Sequence, residues 1–445
     1  MKRFYRTLMG SVAAIALGAI AADAFAQQEP PAAPGIQVPV APGQGLDVTG
    51  DLERGQTVRN RRRPELDPLG IRAGSFFIFP QVSTGLVYND NVYATERDER
   101  DDFIVTLRPE VDVRSNFSRH ELRLQAGAEA GRYIDNTENN YIDYNIAAAG
   151  RFDVGVNGAA SGGVFHRRGH VGNADPDAIT GRENPTIFYI TGADVGYRQE
   201  FGRFNASVGT GVEHYNFEDV ELRGGLEENN DDRDRNVYSL TTRVGYLIQP
   251  GFEAFVRGTY NWVRYTQDRD DTGISRDSDG FQFVGGARVE LSNLITGEVY
   301  AGYLHRTYDD PRLDDFGGVA FGGRVDWAVT QLTGLYALAQ REIVETTRRV
   351  NNELASSIDR KSAAVGVDHE LLRQLLLNGQ IRYVQDDYVG ADTEDRYWRF
   401  NLGATYNLNR NLFVSGGYTF ETRDSEERGR DYNANIFLLR VGGRL

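Results

Sequence analysis

Between residues 108 and 114 an ionisable group stands at every second position: Arg108, Glu110, Asp112 and Arg114. On a strand, side chains two apart share a face, so these four project together. Guanidinium and carboxylate groups on one face can do two kinds of work. They can neutralise each other in salt bridges that brace a wall, or they can hydrogen-bond hydroxyl-rich and charged solutes such as sugars. The arrangement recurs at Arg123, Arg243, Arg257, Arg288, Arg324 and Arg399, with Glu121, Glu129, Glu253, Glu290, Glu298 and Asp326 on the same sides. Tyr215, Tyr300 and Tyr397 fall on that face as well and could stack on sugar rings.

Catalytic signatures are scarce. The histidines are His120, His166, His170, His214, His305 and His369, and none lies in an HExxH, GxSxG or P-loop pattern. His166, His214 and His305 fall near the ends of alternating stretches, where rim packing accounts for them. Cysteine is absent, which removes disulfides, thiolate chemistry and cysteine-ligated zinc. The stretch DRDDTGISRDSD (268–279) sets Asp268, Asp270, Thr272, Gly273 and Asp279 at spacings like those of a calcium loop. Arg276 stands at its ninth position, however, its last residue is Asp and not Glu, and no helical pattern flanks it. The reading is of a protein that is not an enzyme, with no cofactor and no resident metal.

The elements that carry these groups are strands. In FIVTLRPEVDVRS (103–115), Phe103, Val105, Leu107, Pro109, Val111 and Val113 alternate with the polar set. Residues 120–131, 204–215, 237–246 and 397–408 repeat the pattern, and period two with no helical period marks strands. About eighteen such segments run from residue 75 to the end. The last, at 437–445, alternates to Leu445, where barrels of this kind usually carry Phe or Trp. Eight short turns, such as 155–158 and 249–251, alternate with nine long polar loops, such as 89–102, 167–185, 216–236 and 266–280.

An up-and-down sheet with room for loops on one side only crosses a barrier. Its apolar face meets lipid, and its charged face meets water inside a closed wall, since an open edge in hydrocarbon would leave backbone groups unsatisfied. A soluble sandwich would turn its apolar face inward and would not need the alternation of loops. The expectation is an all-β fold: a transmembrane antiparallel up-and-down β-barrel of about 18 strands over 75–445, with a disordered N-terminal periplasmic segment. Short turns are expected in the periplasm and long loops outside, facing lipopolysaccharide. Pro109, which removes a ladder donor, predicts a bulge or local fray. The stretch 334–344 has no clear phase.

Composition agrees. The 445 residues include 50 Gly, 23 Tyr and 23 Phe, with a formal net charge of −15 and a mean hydropathy of −0.48. That charge argues against nucleic-acid binding, and the hydropathy argues against a helical membrane protein. Residues 1–26 read as a signal peptide, with basic Lys2, Arg3 and Arg6, an apolar run and cleavage after Ala26. Losing those three cations and Asp23, a net +2, leaves the mature chain at −17. Residues 27–74 read as a Pro/Gly/Arg-rich periplasmic tether. Its Arg59, Arg61, Arg62 and Arg63 form either a solvated basic linker or a contact for an acidic periplasmic or outer-membrane export partner or for lipid head groups.

The stretch 80–144 resembles the Putative beta-barrel porin 2 family. The resemblance rests on Tyr88-Asn89-Asp90-Asn91 as a "YDDN"-like strand end and on Ser118-Arg119-His120 as an "SRH" turn. YNWVRY (260–265) adds to it, and the likeness extends over about 75–445. It implies an outer-membrane protein with no catalytic residues, similar to barrel components of exopolysaccharide export systems. Export of polysaccharide therefore leads, a general diffusion porin or structural barrel is the alternative, and a barrel enzyme comes third. An eyelet loop folded into the lumen would favour the porin. A His/Ser/Asp cluster at the rim would favour the enzyme.

Overall fold

The computed structural model describes residues 58, 61, 63–179, 182–222, 224–291 and 294–445. The expected signal peptide, its cleavage at Ala26, most of the tether, and Arg59 and Arg62 lie outside the described residues.

Eighteen strands make the wall. They are β2 (Phe76–Asn89), β3 (Asp102–Ser115), β4 (Glu121–Tyr133), β5 (Tyr141–Val154), β6 (Gly158–His170), β7 (Ile187–Phe201), β8 (Phe204–Phe217), β11 (Arg235–Gln249) and β12 (Phe252–Tyr265), followed by β13 (Ser278–Leu291), β14 (Ile295–Tyr308), β15 (Phe316–Thr330), β16 (Thr333–Glu345), β19 (Ser357–Leu372), β20 (Leu375–Val389), β21 (Glu394–Asn407), β22 (Leu412–Ser425) and β23 (Tyr432–Arg444). Short strands β9 (Val220–Leu222) and β10 (Leu226–Glu228) pair within one long loop, and β17 (Arg349–Val350) and β18 (Glu353–Leu354) pair within another. Every wall strand pairs antiparallel with its sequence neighbours, and β2 closes the ring by pairing with both β3 and β23. Closure leaves no edge unpaired in hydrocarbon. Where β23 runs out at the short-turn end, the short strand β1 (Ile71–Ala73) takes its place beside Phe76–Ile78.

The facing of β3 follows its pattern. Phe103, Val105 and Leu107 are 44–50% exposed on the outer face, while Ile104 and Thr106 between them are 1% exposed. Pro109 produces a fray and no bulge: the β3–β4 ladder omits Arg108 and Pro109, and the register resumes unchanged at Glu110 opposite Gly127. In β16 the stretch of unclear phase turns Tyr336 inward, 5% exposed. Gly202 and Gly251 sit at φ +67° and +81° in two-residue turns, a conformation that glycine adopts without a Cβ clash.

The wall strands are 13 to 16 residues long, more than the 9–11 that a tilted strand needs to cross hydrocarbon. At the long-loop end the strands run past their apolar outer stretch into the loops. There the inner face changes character, and apolar side chains point inward. Val87, Ile104, Ile436 and Leu438 form one such cluster, and Val171, Phe188, Ile190, Tyr215 and Phe217 form another.

Candidate functional site

The ten lumen candidates read from the sequence are engaged along the wall. Arg108 pairs with Glu129, Glu110 accepts from Gln81 Nε2 at 3.0 Å, and Asp112 takes a two-pronged bond from Arg123, 2.9 Å in each arm. Asp112 also accepts from Arg114 at 2.7 Å. On the far side, Arg243 reaches Glu253 at 2.8 Å and Glu298 at 3.4 Å, and Arg257 shares Glu298 at 3.3 Å. Arg288 lies 3.9 Å from Glu290, Arg324 grips Asp326 in two bonds of 2.9 Å, and Arg399 meets Glu421 at 2.7 Å. The inward tyrosines are covered by arginines. Arg235 stacks over Tyr215 at 4.5 Å and Arg257 over Tyr300 at 4.4 Å, with Arg423 5.9 Å from Tyr397.

At the short-turn end the last part of the expected tether packs against the barrel. Arg61 and Arg63 both bond Glu370, an inward residue of β19, the latter at 2.9 Å. Arg61 Nη1 also donates to the Gln331 carbonyl at 2.6 Å. Arg444 Nη2 donates to the Leu66 carbonyl at 3.2 Å. Val58, Arg63 and Leu66 are buried there. Two arginines of the cluster are thus held by the barrel's own carboxylate. A nearly buried carboxylate without those partners would be costly, and this outweighs the flexibility that the flanking Pro and Gly confer.

At the long-loop end, residues 171–179 of the loop between β6 and β7 cross the mouth. This loop leaves from β6 and β7, the fifth and sixth wall strands, and reaches loop 346–356 between β16 and β19, the thirteenth and fourteenth, nearly opposite. Asn173 Nδ2 donates to the Val92 carbonyl at 2.8 Å and to Asn139 Oδ1 at 3.0 Å on one side. On the other side, Thr346 Oγ1 donates to Asp177 at 2.9 Å. Between them, arginines from the opposite rim hold three consecutive carbonyls. Arg423 Nη1 donates to Ala174 O at 3.2 Å, Arg430 Nη2 to Asp175 O at 3.2 Å and Pro176 O at 3.0 Å, and Arg348 Nη1 to Pro176 O at 2.9 Å. Ala174 packs on Ala94, Tyr432 and Ala434.

The remaining loops knit the other half of the mouth. Arg276, 2% exposed, bonds Asp270 at 2.7 Å and the carbonyls of Thr346 and Ala355 at 2.7 and 3.1 Å. In the calcium-like stretch, the Asp270 carboxylate thus accepts from Arg276, from Thr272 and from the Ile274 N–H. Burial works against the charge of Asp270, but these donors outweigh it and hold its carboxyl below the usual range. Among the described residues no group of three or more His, Asp or Glu side chains is arranged to hold a metal ion.

Sequence reasoning marked Arg276 only as a departure from a calcium-like loop, and it did not single out Arg348, Arg423 or Arg430. In the sequence they look like solvated charges in polar loops, and no local spacing marks them. His166, His214 and His305 lie on outward positions near the rim, His166 beside Tyr144 and Tyr189 and His305 beside Phe281 and Tyr303.

A family model described as Putative beta-barrel porin 2 matches residues 63–445. Protease 7 of Escherichia coli O157:H7 is 24% identical over 197 residues, covering 36% of this chain and 61% of that protein. The chain thus spans less than two thirds of that relative. Among solved structures, OccK1 (OpdK) of Pseudomonas aeruginosa is 12% identical, with a TM-score of 0.42 over 83% of this chain and 99% of its own. OpdO of the same organism is 14% identical, with a TM-score of 0.43 over 83% and 98%. OccAB4 of Acinetobacter baumannii is 12% identical, with a TM-score of 0.43 over 83% and 98%.

Proposed function

Because the chain belongs to the Putative beta-barrel porin 2 family, we propose that this outer-membrane barrel is a passive, loop-gated channel for hydrophilic solutes. In this reading the long loops face the outside and lipopolysaccharide, and the short turns and residues 63–67 face the periplasm. One observation carries the reading. Residues 171–179 lie across the mouth of a wall lined with paired charges, donating to the Val92 carbonyl on one rim and accepting from Thr346, Arg348 and Arg430 on the others. A constriction of that kind selects small solutes, and a charged, hydrogen-bonding lining suits water and hydroxyls more than an apolar ligand. No energy-coupling motif appears in the sequence, so solutes move down their own gradients.

A second reading, a conduit or accessory of exopolysaccharide export, draws on the same lining of Arg, Asp, Glu and Tyr. It requires the loop to stand aside for a polymer. Two measurements on one strain separate the readings. A deletion strain in which uptake of small hydrophilic antibiotics falls and surface polysaccharide is unchanged supports the solute channel. Lost polysaccharide with unchanged uptake supports export.

A further inference from the structure

The arginines that latch loop 171–186 are short of counter-charge. Arg348, Arg423 and Arg430 converge on the loop tip, and what they mostly touch is neutral: the carbonyls of Ala174, Asp175 and Pro176. Glu427 is shared, pairing with Arg348 and lying 3.8 Å from Arg430 Nε. Arg423 lies against the Tyr432 ring at 5.0 Å and donates to the Arg430 carbonyl. Arg430 Nε is buried without a hydrogen-bond acceptor. The electrostatics are uneven. Burial works against the charge of Arg348, but Tyr388, Glu427 and Asp177 outweigh it and raise its pKa. Burial and the charges of Arg348 and Arg423 leave Arg430 below the usual range.

A carbonyl is a weaker partner for guanidinium than a carboxylate, which takes two parallel charge-assisted bonds. Three clustered guanidinium groups that share a single carboxylate, Glu427, and otherwise bond backbone carbonyls therefore form a site for which an added anion is a better ligand than those carbonyls. We propose that Arg348, Arg423 and Arg430 are a carboxylate-binding site at the channel mouth, covered by loop 171–186 when closed and offered to an anionic solute when the loop lifts. The loop carbonyls stand in for the solute's carboxylate. A solute that binds the arginines competes with the latch, so it favours the open mouth by as much as its affinities for the two states differ. The inference rests on the channel reading and names the solute class for it: small carboxylates such as sugar acids.

The test uses the full mature chain in proteoliposomes, with glucuronate and glucose as probes of nearly equal size. The wild-type protein should pass glucuronate in preference to glucose. The double variant Arg348→Gln/Arg430→Gln should lower the glucuronate-to-glucose ratio roughly tenfold, about the factor attached to one charge-assisted hydrogen bond. Glucose flux should hold or rise, because the latch is weakened. Deleting 174–177 leaves the arginines in place, and it should raise both fluxes while keeping the preference for glucuronate. That second protein decides the matter if the double variant fails to assemble. A ratio unchanged in the double variant, or a ratio at or below one in the loop-deleted protein, overturns the carboxylate site and reduces the arginines to a structural latch. If the loop-deleted protein passes neither sugar, the channel reading itself has failed.

Discussion

Asp175 shows how one carboxyl can couple the mouth to pH. It is 2% exposed, accepts the Asp177 N–H at 2.8 Å, and faces the charges of Asp177, Arg233 and Arg360. Burial first, then the Asp177 charge, push its carboxyl up to about 6. A free aspartate titrates near 3.9, so protonation favours the docked loop. That stabilisation is complete below about pH 4 and is lost as pH rises through about 6. Conductance in planar bilayers should accordingly be lower near pH 5 than near pH 7.5. Asp175→Asn keeps the acceptor for Asp177 and should flatten the response. A variant with the wild-type pH profile would show that some other group titrates. Neither the burial of Asp175 nor its neighbours could be read from ADPDA (174–178), where it looks like a solvated loop acid.

At the scale of the element, β3 is where the pattern in the chain speaks most clearly. Its outer face was legible because lipid and water sit on opposite sides of a strand and each side chain must choose. Leu107 is 50% exposed on that face, opposite Thr84 of β2 and Ala130 of β4. Lipid tolerates size but not charge. Leu107→Arg should therefore cost about 2–4 kcal/mol and diminish the fast-migrating folded band in unheated gels, whereas Leu107→Phe should leave it. Equal behaviour of the two would place Leu107 in a packed core and not in lipid. The rule fails toward the long-loop end of the strands. In β7, Phe188 and Ile190 turn inward while Thr191 turns out. Beyond the hydrocarbon band water lies outside, and the inner face packs on loop 171–186, so the preference reverses.

For the whole molecule, strict alternation of turns and loops gives the barrel two unlike ends. Turns of two residues at 202–203 and 250–251 contrast with loops at 171–186 and 218–234. Assembly that places short turns inside leaves the long loops on the cell surface. A protease site inserted at 224–226, in the hairpin of β9 and β10, should be cut on intact cells, and one inserted at 155–157 should not. Cleavage of the second alone would reverse the orientation and put residues 63–67 outside.

The chain by itself determined the barrel. Period two, loop alternation and polar overall composition are local quantities, and a bilayer admits few solutions to them. It also marked Arg108, Asp112, Arg123, Arg243 and Arg257 as wall charges, since their phase is written in their own strands. What only the tertiary structure decided is the state of the two ends. Whether Arg61 and Arg63 wait in a linker or bind Glu370, some 300 residues away, depends on which residues closure brings together. The same holds for Arg423 and Ala174, which are 249 positions apart. A guanidinium in a polar loop looks alike in sequence whether water or a carbonyl across the mouth will take its hydrogen bonds. Burial makes that choice, and burial exists only once the wall has closed.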